Sequence, residues 1–261
     1  MLKVLLPLIF SLSLFAQSDQ WYSRINAEIE AGMYIPTLSG TIENIHGISD
    51  FSQDFGYTDA KASYFSIELR HNYDYIPNLY LSYFNMQDSQ SATLTKTVQI
   101  VDKSFNSDVF TTIDYQVSDA TLYQDLQLKG QVFKLFGRKF YTGDLEFDIG
   151  LSAKLLKWHY EVKDLTDLAR ASAWIDVNEL IPLPYFGVKY FYYDLMIYTN
   201  INDLAFSKAK SSAYRAGIDY RVVGGLYLSA SYLYEQFNVV EQQDTVEFKT
   251  SGLKFSFKYA F

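Results

Sequence analysis

The chain contains no cysteine, which excludes disulfides and thiolate metal sites. It has three histidines, His46, His71 and His159, too scattered to read as a ligand cluster. There is no Gly-rich phosphate loop and no carboxylate cage, so no cofactor or metal is expected. Beyond residue 16 no apolar run approaches the roughly 20 residues that a membrane helix needs, so a helical membrane protein is excluded. Basic residues are outnumbered by acidic ones, 22 to 30. The resulting charge of −8 makes a nucleic-acid partner a poor fit.

What is abundant is aromatic. Tyr and Phe number 23 and 20, and aromatic residues make up 18% of the chain. These residues suit strands, and they form the girdles at both interfaces of membrane β-barrels. At the N-terminus Lys3 precedes an apolar run from Val4 to Phe15, closed by Ala16 and then by polar Gln17 to Gln20. The run is too short to span a bilayer. It reads as a secretory signal peptide over residues 1–16, leaving residues 17–261 as one domain.

Period-2 alternation then recurs along the chain. Ile25, Ala27, Ile29, Ala31, Met33 and Ile35 alternate with Asn26, Glu28, Glu30, Gly32 and Tyr34. The series Leu145 to Leu155 alternates with Asp144 to Lys154, and Leu226 to Tyr234 with Tyr227 to Glu235. The chain ends with Leu253, Phe255, Phe257, Tyr259 and Phe261 on one face and Lys254, Ser256, Lys258 and Ala260 on the other. A soluble sheet would hide the apolar face and a membrane barrel would turn it to lipid. The signal segment, the aromatic excess and the terminal Phe favour the membrane barrel, whose sheet must close to satisfy its backbone.

The expected fold is all-β: a transmembrane antiparallel up-and-down barrel of about ten strands, with eight or twelve as alternatives. Strands are expected near 22–35, 61–72, 79–88, 110–129, 140–158, 174–192, 195–205, 211–221, 226–237 and 246–261. An even count puts both termini in the periplasm, with short links there and most long loops outside. Residues 35–61 read as a polar, acidic loop, 88–108 as a Ser/Thr-rich loop, and 161–173 as a charged segment able to form a short helix. Alternation changes phase between Val117 and Leu122 and again at Leu155–Leu156, which predicts either bulges or strands rising above the membrane. Pro182 and Pro184 predict either a bulge or a strand that begins near Tyr185.

The register predicts a charged lumen. Glu28 and Glu30 come from the first strand, Glu68 and Arg70 from the second, and Asp144, Glu146, Asp148 and Lys154 from the fifth. Arg215, Asp219 and Arg221 come from the eighth and Lys254 and Lys258 from the last. Both signs are present, and a barrel of about eight strands is just wide enough for side chains, so a filled interior is favoured over an ion-selective pore. Closure of the last strand on the first predicts Glu28 or Glu30 near Lys254 or Lys258.

Several stretches carry a family resemblance. They are Ala27 to Tyr34 with Pro36, Ser39 and Gly40, and Ile67 to His71 running through Ile76, Pro77 and Asn78 to Leu79. To these add Pro182 to Tyr190 and the closing Phe255 to Phe261. The chain resembles the small Gram-negative outer-membrane β-barrel proteins of unassigned function. The resemblance implies location in the bacterial outer membrane, contact with its lipid, and a C-terminal signal at Phe257, Tyr259 and Phe261 read by the barrel-assembly machinery. It carries over no catalytic residue. With no nucleophile, base and orienting group in evidence, an enzyme is not expected, and His159 beside Trp158 and Tyr160 reads as an interfacial polar residue. The expected role is structural or surface-interacting with a largely plugged lumen. A narrow diffusion channel is the alternative, and a lipid-modifying enzyme the more remote one.

Overall fold

The computed structural model describes residues 25–71, 76–136, 138–166, 172–205, 209–241 and 244–261. The signal-peptide reading of residues 1–16 lies outside them. Every element is a strand. In chain order they are β1 (Ile25–Asn44), β2 (Gly47–Asp50), β3 (Ala62–His71), β4 (Asn78–Thr93), β5 (Val98–Ile100), β6 (Lys103–Phe105), β7 (Asp108–Leu128) and β8 (Val132–Leu135). There follow β9 (Arg138–Tyr141), β10 (Asp144–Asp164), β11 (Ser172–Tyr192), β12 (Leu195–Ala205), β13 (Ala209–Val223), β14 (Leu226–Glu241) and β15 (Asp244–Ala260).

Ten of these, β1, β3, β4, β7 and β10 to β15, pair antiparallel with their neighbours, and β15 pairs back onto β1. The seam is long and unbroken, from Glu28 opposite Ala260 to Glu43 opposite Thr245. The sheet therefore closes on itself, the arrangement a β-protein needs where no water is at hand to satisfy backbone groups. Ile25 and Phe261 lie at the same end, called lower below, where the Phe261 N–H donates to Ala27 C=O at 2.9 Å. Links at that end include the two-residue turns Tyr193–Asp194 and Gly224–Gly225, where Tyr193 and Gly224 both take φ 53°.

The strands are much longer than a bilayer requires. β7, β10 and β11 have 21 residues each. At about 3.3 Å per residue and a tilt near 40°, each rises about 50 Å, roughly twice the 25 Å height of a barrel's lipid-facing band. The surplus explains the phase changes. In β10 the outward row reads Phe147, Ile149, Leu151, Ala153, Leu155 and then Lys157, His159, Glu161, Lys163. The inward row reads Glu146, Asp148, Gly150, Ser152, Lys154 and then Leu156, Trp158, Tyr160, Val162. β7 inverts near Ser118, and β1 inverts after Ile35.

No bulge is involved. The β7–β10 register runs without a slip from Leu145 opposite Leu128 to Asp164 opposite Val109. What changes is the character of the two faces of a continuous strand: apolar outside and polar inside below, the reverse above. The two predicted bulge sites are thus strands rising out of the belt.

The prolines resolve differently from both expectations. β11 neither bulges nor starts at Tyr185: it pairs with β10 from Ser172 to Phe191, with Pro182 opposite Ala153 and Pro184 opposite Leu151. On its other side β11 meets β12 only from Tyr185 downward. Two residues of the same parity direct their nitrogens to the same flank, and a proline nitrogen is tolerated on an unpaired flank. Both prolines therefore fit the free margin of β11 above the short β12–β13 hairpin.

Two other connections depart from expectation. β10 continues to Asp164 where a helix was anticipated, and residues 167–171 lie outside the described ones. In the polar stretches 35–61 and 88–108, β1 extends to Asn44 and β4 to Thr93, and the larger part forms two compact inserts at the upper end, one holding β2 and the other the β5–β6 hairpin.

Candidate functional site

Below the inversion, the barrel interior holds a network of ion pairs. Its centre is Glu30, whose carboxylate accepts from Lys254 Nζ, Ser256 Oγ, Arg215 Nη2 at 3.2 Å and Ser66 Oγ at 3.1 Å. Glu30 and Lys254 reach each other because β15 closes on β1, with Glu30 opposite Lys258 and Tyr34 opposite Lys254. Lys258 Nζ bonds Asp219 at 2.5 Å and lies 3.5 Å from Glu28. A second group joins β3, β10 and β11. Arg70 bridges Glu68 at 2.8 Å and Glu146 at 2.5 Å, while Lys189 lies 3.0 Å from both Glu146 and Asp148. Tyr123 donates its hydroxyl to Glu68. Higher up, Lys154 bonds Glu235 at 2.6 Å, and Tyr115 donates to the same carboxylate at 2.9 Å.

Charges this far from water persist only when each is matched and hydrogen-bonded, because the desolvation of each ion is large. Aromatic faces assist. The Lys254 ammonium sits 3.9 Å from the centroid of the Tyr64 ring, and Arg215 lies 5.0 Å from that of Tyr198. Room for Tyr198 comes from Gly217, where a Cβ would lie 2.6 Å from Ser231 Cβ and 2.7 Å from the Tyr198 ring. Cavities of about 60 and 70 Å³ lie between these groups, the lower bounded by Glu68, Arg70 and Lys189, the upper by Tyr34, Asp119 and Glu235, and one of about 230 Å³ lies at the lower end beside Glu28, Asp219 and Lys258.

Among the thirteen charges expected to line the lumen, eleven sit in these clusters or beside them. Two lie at the lower rim instead. Asp144 accepts from Gly130 N–H at 2.7 Å, and Arg221, half exposed, pairs with Asp194 at 2.5 Å. Sequence reasoning missed Lys189, Glu235 and the tyrosines Tyr64, Tyr80, Tyr123, Tyr185 and Tyr198. Lys189 was legible in principle from the row Tyr185, Gly187, Lys189. Aromatic residues on both faces of β11 blurred the alternation there.

Above the inversion the interior is an apolar core. Trp158 and Tyr160 of β10 stack at 5.7 Å, and Phe248 of β15, Phe237 of β14 and Tyr115 of β7 pack around them. The centre of this core is supplied by the β1–β3 connection. Phe51 reaches Trp158 at 5.9 Å on one wall and Phe248 at 5.6 Å on another, with Phe55 and Tyr57 beside it, all three fully buried. The segment returns along β1, with Leu38 N–H donating to Thr58 C=O and Ala60 N–H to Pro36 C=O, both at 2.8 Å.

Asp50 forms the elbow. Its carboxylate accepts the N–H groups of Ser52 and Gln53 at 2.8 Å. Partial burial works against its charge, but these bonds outweigh that and hold the carboxyl below the usual range. Burial drives the Tyr57 and Tyr160 hydroxyls upward.

Over this lies the β5–β6 hairpin, burying Val98, Ile100 and Phe105. It is tied by Gln99 C=O to Asn44 at 3.0 Å, by Val101 N–H to Asp244 at 3.0 Å and by Lys103 Nζ to Ser172 C=O at 2.7 Å. These partners belong to β1, β15 and β11, so the hairpin touches three sides of the mouth.

The three histidines lie far apart in the fold. His159 faces outward in the upper part of β10, and its Nδ1 lies 2.6 Å from Asp176. Its other cross-strand partner is Asp114. His46 is exposed at the β1–β2 turn, and the His71 ring lies 3.2 Å from Pro77 C=O at the lower end. Among the described residues no cluster of His, Asp and Glu is arranged to hold a metal ion.

No family model and no curated protein matches the sequence. Among solved structures, the outer membrane protease OmpT from Escherichia coli is 9% identical, with 94% of this chain and 100% of that chain covered at a TM-score of 0.49. The translocator domain of the autotransporter NalP from Neisseria meningitidis is 13% identical, with 99% and 95% covered at 0.46. Neisserial surface protein A is 11% identical, with 91% and 97% covered at 0.32. The fold assignment stands on the closed sheet itself.

Proposed function

We propose that this chain is a bacterial outer-membrane β-barrel with its lower end in the periplasm, and that it serves a structural or surface-interaction role rather than conducting solutes. The outward row of exposed Ile149, Leu151, Phe186, Ile197, Leu228, Phe255 and Phe257 supports the membrane setting, since only lipid makes such a belt favourable on a monomer. Burying Phe257 and Tyr259 against lipid leaves the terminal strand in the place that an assembly machinery would read. The observation that carries the role is the occupation of the upper interior by Phe51, Phe55 and Tyr57 from a loop, packed against rings of β10 and β15. An ion pathway would have to cross that core, and then a network in which acids and bases neutralise each other.

Single-channel recording of the refolded protein tests this. No stable conductance steps are expected from the wild type. Phe51→Gly/Phe55→Gly/Tyr57→Gly should admit ions only transiently, because the ionic network below remains. Stable steps from the wild type would establish the narrow channel instead.

A further inference from the structure

The lower end carries one connection unlike the others. Lys129 to Gly143 joins β7 to β10 through the β8–β9 hairpin, with Lys134 opposite Lys139 and Leu135 opposite Arg138. In a chain of net charge −8, this stretch holds Lys129, Lys134, Arg138 and Lys139 and no Asp or Glu. All four cations are exposed, and Lys134, Arg138 and Lys139 form no ion pair among the described residues. Two lysines directly opposite each other on one face repel, a cost that an anion between them removes. At the tip Phe136 is 95% exposed, and Val132 is 62% exposed.

The hairpin is not free to point anywhere. Gly130 N–H bonds Asp144 at 2.7 Å, Tyr190 donates its hydroxyl to Thr142 C=O at 2.9 Å, and the Tyr141 and Tyr193 rings meet at 6.0 Å. It emerges directly from Leu126 and Leu128, the last lipid-facing residues of β7, so its base lies at headgroup level. Exposed aromatic and apolar side chains interleaved with Lys and Arg are the composition that lodges at a bilayer interface, and the cations add attraction to anionic headgroups.

We infer that the hairpin built around Lys134, Phe136, Arg138 and Lys139 is a leaflet anchor that binds the phosphates of anionic phospholipids on the periplasmic side. This rests on the outer-membrane reading above. A free periplasmic protein fits less well, because Phe136 and Val132 are exposed apolar side chains a few residues from Leu126 and Leu128 at the end of β7.

The absence of cysteine makes a single label simple. Full-length Phe136→Cys, carrying an environment-sensitive fluorophore, is refolded into nanodiscs of phosphatidylcholine alone or mixed with phosphatidylglycerol. Emission should shift to the blue only with phosphatidylglycerol. The shift should vanish in Lys134→Glu/Arg138→Glu/Lys139→Glu and in about 0.5 M salt, which screens exposed charge. Without any substitution, tryptic cleavage after Lys134 and Lys139, read by mass spectrometry, should slow about tenfold in phosphatidylglycerol discs.

Equal emission and equal cleavage in both lipids would overturn the anchor, as would a shift produced by peptidoglycan fragments but not by lipid. Heat-modifiable migration in each sample separates the two readings. A chain that inserts with an unresponsive hairpin defeats only the anchor, whereas a chain that fails to insert defeats the outer-membrane reading and the anchor with it.

Discussion

The two halves of this barrel use the same strands to solve opposite problems. Below Leu155 on β10, the outside is apolar and the inside is charged; above it, the inside holds Trp158 and Tyr160 while Lys157, His159 and Lys163 face out. On the outer-membrane reading proposed above, the driving force for burial in the lower half points outward, to lipid, so the lumen must be held by paired ions. In the upper half water surrounds the wall, and the hydrophobic effect again points inward. A strand crossing the boundary keeps its hydrogen bonds and its alternation and merely exchanges the chemistry of its two rows. The upper half is in effect a water-soluble barrel fused to a membrane one. It needs a core of its own, and the β1–β3 connection completes that core.

The largest effects should come from breaking each half by its own logic. Trp158→Ala removes the most voluminous fully buried side chain and should cost about 3–5 kcal/mol. Hydrogen exchange should show the loss in the upper segments of β7, β10 and β15, with the lower segments still protected. If protection is lost equally along the strands, the halves are one cooperative unit. In the lower half Lys154→Met leaves Glu235 with the Tyr115 hydroxyl but without its paired cation and should cost about 3 kcal/mol or more. Adding Glu235→Gln should recover much of that, because an uncompensated buried charge costs more than an absent pair. Urea unfolding in detergent micelles measures both. A double variant no better than the single would show that the pair itself carries the stability.

Next in size is a contrast on the outer surface. Ile149→Lys, in the belt, should cost about 2–4 kcal/mol in a bilayer. Thr41→Lys, outward on the upper part of β1, should stay within about 0.5 kcal/mol. Similar costs at both sites would move the membrane boundary drawn here from the inversion.

Much of this was legible in the sequence. Ten strands follow from alternation because a half-buried or half-lipidated strand must repeat every two residues. The meeting of Glu30 with Lys254 follows from closure, which brings the first and last strands together. What alternation cannot report is which medium lies on which side. The inversion at Leu155–Leu156 was visible as a phase change, but a bulge and a change of surroundings leave the same trace in one sequence. The plug was hidden for another reason. Phe51, Phe55 and Tyr57 are spaced with no strand period in a Gly- and Asp-rich stretch, and their burial depends on partners from β10 and β15 about 100 and 200 residues away, a tertiary constraint with no local signature. Lys189 was obscured by neighbours, since Tyr and Phe serve equally as lipid girdle and lumen wall.

The smallest predicted effect tests how firmly the plug is fixed. Asp50 holds the elbow that turns Phe51 inward, and its carboxyl is kept below the usual range by the N–H groups of Gln53 and Ser52 and by the Ser52 hydroxyl. A group whose pKa is depressed on folding contributes stability that is fully present above its unfolded value, near 4, and lost as pH falls through the lower folded value. The plug should therefore be indifferent between pH 5 and pH 8 and loosen only below about pH 4. Because Asp50 is only partly buried, the change should be a modest rise in hydrogen exchange at residues 51–57. Asp50→Asn keeps an acceptor for the same N–H groups but lacks the charge and cannot titrate, so it should flatten the acid limb and show at neutral pH the modestly raised exchange that the wild type reaches in acid. An unaltered acid limb in that variant would assign the loosening to the ion pairs of the lower half, whose carboxylates also need their charge, and would tie the two halves together more closely than the inversion suggests.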